Sequence, residues 1–123
     1  MVYTNIRRKK MNKALRALYP DIEFHEPTAS VPVMQCTTLP AGAMLIESMD
    51  ALTDKVQKYC TRENEIGLHL PDYSKALPVF ILSNELQDGR LHHFYRVNYV
   101  SPTEGSQRMA EKYIATGLLY AVV

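Results

Sequence analysis

The chain has 123 residues, 46% of them hydrophobic and 22% charged, with a formal net charge of +1. That length suffices for one domain with a real core and is too short for two, and 5 Gly with 7 Pro is not the composition of a disordered chain. No apolar run approaches the roughly 20 residues that span a bilayer, and the basic start lacks the apolar stretch of a secretion signal, so a small soluble, cytoplasmic protein is expected.

The near-neutral total hides a sharp polarity. Arg7, Arg8, Lys9, Lys10, Lys13 and Arg16 put six positive charges and no negative one into the first 16 residues, while the remaining 107 carry 8 basic and 13 acidic side chains. Such asymmetry suggests a polyanionic partner or pairing within the chain. Met11, Ala14, Leu15 and Leu18 recur at helical spacing opposite Lys9, Lys13 and Arg16, which predicts a basic amphipathic helix over residues 4–18. Pro20 stops it, because a proline disfavours helical geometry in the residue before it. Residues 19–30, with Pro27 and three acids, are expected to form a linker to an α+β body over residues 31–123.

Within that body Val31 to Thr38 alternates like a strand, with Pro32 pushing it towards an edge. After Gly42 a stripe of Leu45, Met49, Leu52, Val56 and Tyr59 predicts a helix, its acids early and its bases late as the helix dipole prefers. Asn64 to Lys75 is irregular and reads as a loop. Leu77 to Leu82 and Leu91 to Val100 read as strands, and Asp88-Gly89 between them is the strongest turn signal in the chain. Thr103 is the expected cap of a helix starting near Glu104, Gly117 its end, and Leu118 to Val123 a buried strand. The order strand, helix, strand, strand, helix, strand predicts a ferredoxin-like βαββαβ sandwich. Its four-stranded antiparallel sheet would carry two helices on one face, and the N-terminal basic helix would precede it.

Candidate chemistry is sparse. Cys36 and Cys60 have neither knuckle spacing nor the density of a disulfide scaffold. His92 and His93 point to opposite faces of a strand and do not converge on one ion; no metal site is expected. Scattered glycines make no phosphate cradle, and no local motif places a base beside a serine or cysteine nucleophile, so no cofactor and no catalytic residue are assigned. Phe94 and Arg96 share a strand face and form a candidate base-stacking platform, although the glycine-aromatic spacing of RNA-recognition domains is absent.

The expectation is therefore a small non-enzymatic interaction protein, an adaptor or inhibitor. It would bind a macromolecular partner through Arg7, Arg8, Lys9, Lys10, Lys13 and Arg16 and through an aromatic surface with Phe94 and Arg96. Small accessory or inhibitory proteins of phages and mobile elements are of this kind. A first alternative is an RNA- or DNA-binding domain using the basic helix for phosphates and the open sheet face for bases. A second is a small-ligand binder or enzyme with a pocket built from His69, His93 or Tyr95. An uncapped edge strand also allows a homo-oligomer.

Overall fold

A computed structural model describes residues 12–29, 33–65, 76–102 and 104–122. The elements are α1 (residues 12–18), β1 (Phe24–His25), β2 (Gln35–Cys36), β3 (Ala43–Leu45), α2 (Met49–Glu65), β4 (Leu77–Gln87), β5 (Arg90–Val100), α3 (Glu104–Ala115) and β6 (Leu119–Val122).

The strands form one sheet in the order β1-β2-β5-β4-β6-β3, with every neighbouring pair antiparallel. This overturns the ferredoxin-like expectation: among the described residues the sheet has six strands rather than four, in an order that a βαββαβ sandwich does not have. The cause lies between residues 40 and 48. Gly42, at φ +84°, closes a turn in which the Ala43 N–H donates to the Pro40 carbonyl at 3.1 Å, and the chain leaves this turn extended along β6. The helix starts only after Ser48, whose hydroxyl oxygen accepts the Ala51 N–H at 3.1 Å as an N-cap. Leu45, which fits the helical stripe, therefore ends in β3 and is partly exposed, while Ile46 beside it is buried. The strand that precedes α2 is β3, not the Val31 to Thr38 segment. Of that segment, Gln35–Cys36 pairs with β5 on the far side of the sheet.

The helices divide between the two faces. Leu52 and Val56 of α2 and Ala110 of α3 pack on Leu77, Val79 and Ile81 of β4, Val100 of β5, and Leu119 and Ala121 of β6. On the opposite face Leu15 of α1 packs with Phe24, Met34, Cys36, Phe80 and Val97. Strand alternation sends odd residues of β4 to the first cluster and Phe80 to the second. Of the expected linker, residues 19–29 are described and take part in this packing, since Phe24 is buried and Tyr19 meets Phe80 edge-on at 6.1 Å.

The end of α3 is a Schellman motif. Leu118 N–H donates to the Tyr113 carbonyl at 2.9 Å and Gly117 N–H to the Ile114 carbonyl at 3.1 Å, with Gly117 at φ +72°. This turn aims the chain directly into β6, which lies inside the sheet. Gly117→Ala forces a side chain into left-handed backbone and is expected to lower unfolding stability by about 1–2 kcal/mol; a denaturant midpoint unchanged from wild type would contradict this.

Candidate functional site

Asp88 (φ +53°) and Gly89 (φ +75°) are the two central residues of the β4–β5 connection, and positive φ at both is the signature of the type I′ hairpin turn. A two-residue turn fixes Gln87 opposite Arg90, and the ladder continues unbroken to Leu77 opposite Val100. Neighbouring strands support only the lower part of this ladder. β6 meets β4 at Phe80 and Ile81, and β2 meets β5 at Tyr95 and Arg96. The five pairs from Ser83↔Phe94 to Gln87↔Arg90 have no further strand beside them among the described residues, and they make a two-stranded arm about 17 Å long.

The arm has two unlike faces. On the α1 side, alternation continues Phe80 into Leu82, Asn84 and Leu86, opposite Tyr95, His93 and Leu91. Leu86 and Leu91 form a direct cross-strand pair and are 76% and 57% exposed. Below them His93 Nδ1 is hydrogen-bonded to Asn84 Oδ1, and the amide oxygen as acceptor makes Nδ1 the protonated nitrogen. At the base of the arm Tyr95 and Tyr120 meet edge to face at 6.0 Å, both half-buried. Burial first, then the nearby Tyr120 and Cys36, raise the Tyr95 phenol above its ordinary range.

The face towards α2 and α3 carries Phe94 and Arg96. Phe94 is only 7% exposed, and the Arg96 guanidinium carbon sits 5.9 Å from its ring centroid. Arg96 donates to Glu85 Oε1 at 2.5 Å, while its Nε is buried without a hydrogen-bond partner. Asn98, next along this face, has its amide 4.0 Å from Met109 Sδ of α3. A base stacking on Phe94 has first to displace a guanidinium already held by a carboxylate of its own chain.

Of the six basic residues in the leading segment, Arg7, Arg8, Lys9 and Lys10 lie outside the described residues. Lys13 is exposed on α1, and Arg16 donates to Glu26 Oε1 at 2.8 Å in an exposed pair, an interaction of modest strength in water. His69 and the loop read over Asn64 to Lys75 fall largely outside the described residues as well. Sequence reasoning singled out neither Leu86 nor its pairing with Leu91. The polar run Ser83 to Gln87 hides the outer half of β4, yet the two-residue Asp88-Gly89 turn already implies equal strand lengths on either side and hence the register 86↔91.

A small cavity of about 60 Å³ is lined by Asn12, Pro27, Val33, Met34, Val97, Asn98 and Tyr99, room for a few water molecules. Tyr99 donates its hydroxyl to Asn12 Oδ1 at 3.2 Å, and burial raises its pKa. Among the described residues no group of three or more His, Cys, Asp or Glu is placed to hold a metal ion, and no helix is long and apolar enough to cross a membrane. Compared with protein-family models, curated proteins and solved structures, the chain matches none.

Two expectations follow. Because Glu85 neutralises Arg96, Glu85→Gln should raise any affinity for single-stranded RNA and steepen its salt dependence by about one unit of slope; affinity equal to wild type at all salt concentrations would remove Arg96 from a nucleic-acid role. Burial raises the Cys36 thiol from 9.0 to about 11, partly offset by a hydrogen bond to the Thr38 backbone. The unfolded chain therefore loses this proton first as pH rises, so native stability falls between pH 9 and about pH 11. Cys36→Ala should flatten that decline in denaturation curves measured across the range.

Proposed function

We propose that this chain is a small non-enzymatic interaction protein, an adaptor or inhibitor, that meets a macromolecular partner through its projecting β4–β5 arm. The reading is carried by the Leu86–Leu91 pair, two large apolar side chains exposed together on a ribbon that extends beyond the sheet. A protein that keeps such a pair in water gains from covering it, and paired apolar exposure on a strand edge is otherwise an association hazard. The aromatic part of this surface is the Tyr95–Tyr120 pair at the base of the arm rather than Phe94. The cationic leading segment adds electrostatic attraction for an acidic partner.

Two features make the alternatives weaker. Nucleic-acid binding through the sheet face has to compete with the Glu85–Arg96 pair. Among the described residues, the cavity beside Asn12 and Tyr99 is about 60 Å³, below the ~300 Å³ of a typical ligand pocket, and neither His93 nor Tyr95 lines it.

A photo-crosslinking residue in place of Leu91, expressed in the chain's native cells, should give a discrete adduct that the same residue in place of Lys58 on α2 does not. Adding Leu86→Ser should reduce the adduct roughly tenfold while lowering unfolding stability by no more than about 1 kcal/mol, the scale of one cross-strand pair. Equal adduct yields from positions 91 and 58 would refute the arm as the contact surface.

A further inference from the structure

Granted that the arm is a contact surface, we infer that the Glu85–Arg96 pair on its reverse face is a brace that holds the arm at a fixed attitude to the sheet, with Arg96 as its positioning residue.

The ladder creates the need for a brace. The arm's five pairs have no further strand beside them among the described residues, and a two-stranded ribbon by itself is marginally stable and twists readily. Arg96 is rooted where four strands run side by side: Gln35, Arg96, Ile81 and Leu119 form one row across β2, β5, β4 and β6. Glu85 stands out on the arm, opposite His92. Ile81, the partner of Arg96, and Glu85 are four residues apart on β4, about 13 Å along the strand. The Arg96 side chain therefore leaves the body of the sheet and passes Phe94, whose ring centroid lies 5.9 Å from the guanidinium carbon. It ends on Glu85 Oε1 at 2.5 Å. Its path spans the rows at which β6 and β2 give out.

The cost of this path is visible in the same side chain. Arg96 Nε is buried without a hydrogen-bond partner among the described residues, whereas an unconstrained guanidinium turns that donor to water. A charge-assisted hydrogen bond to Glu85 and the face of the Phe94 ring offset the loss. The guanidinium is placed by its far end rather than by its own surroundings.

Other polar groups of the arm lack this reach. His93 and Asn84 face each other within one row, so they tie the two strands of the arm together and not the arm to the body. Arg90 and His92 share the face of Glu85 by alternation, but both are part of the arm, and a carboxylate passed to either would leave it unanchored. A contact surface already held in place binds with less ordering cost, so loosening the brace weakens capture at Leu86 and Leu91.

Residual dipolar couplings and hydrogen exchange of the backbone amides test the brace. In wild type the couplings of residues 83–87 and 90–94 should fit the same alignment as those of the body. Glu85→Gln and Arg96→Gln should each shrink the arm's couplings relative to the body's. Both should also speed exchange of the arm's amides roughly twofold to fivefold, the scale of a half-exposed ion pair, while the amides of Phe80 and Val97 exchange as before. The double variant should go no further than either single one, and high salt should move wild type the same way. Glu26→Gln, which breaks the exposed Arg16–Glu26 pair, should leave the arm as in wild type. Arm couplings already averaged in wild type, or unchanged in both single variants, overturn the brace, as does faster exchange shared equally by Phe80 and Val97. The crosslinker at position 91 separates the two readings. An arm that loosens in the variants but gives no adduct in wild type keeps the brace and removes the contact surface; an adduct from an arm indifferent to both variants does the reverse.

Discussion

The register of the β4–β5 hairpin is the constraint on which the rest depends. Asp88 and Gly89 hold the positive φ angles of a two-residue turn, and the ladder they start places Phe80 opposite Val97 and Leu77 opposite Val100. Those pairs belong to different cores. Phe80 and Val97 pack with α1, and Leu77 and Val100 pack under α2 and α3. A slip of one residue exchanges the faces of a whole strand, turning Phe80 into the helix layer and Val79 and Ile81 out of it. The turn thus couples both hydrophobic clusters to one geometric choice.

The same register produces the exposed arm. The ladder outruns its neighbours, because β6 and β2 support only its lower half. Alternation that buries Phe80 and half-buries Leu82 then carries Leu86 into solvent with Leu91 opposite. Two cations that the sequence offers as contacts are meanwhile engaged by carboxylates of their own chain, Arg16 by Glu26 and Arg96 by Glu85. The surface that remains available on the arm is apolar at its middle and charged at its tip, which favours a protein surface over a phosphate backbone as its complement.

Legibility followed the range of the signal. The stripe from Met49 to Tyr59, the Asp88-Gly89 turn and the Gly117 stop are local patterns, and each marks an element the structure contains. β1 and β3 are too short for any period to register, and Leu45 satisfies a helical stripe as well as it satisfies a strand. The Ser48 cap decides that ambiguity with one hydrogen bond. Alternation places Phe94 and Arg96 on one face, and Glu85 reaching across from β4 decides what Arg96 is paired with there.

By itself, then, the chain determined where two long helices and a tight hairpin form, because helical period, capping chemistry and turn backbone are set by residues within a few positions of one another. Strand order, the insertion of β6 between β4 and β3, and the burial of Phe94 on one face of the arm while Leu86 is exposed on the other were decided only in three dimensions. These depend on which surfaces meet across the sheet, and contacts between residues far apart in the chain leave no periodic trace in the order of its side chains.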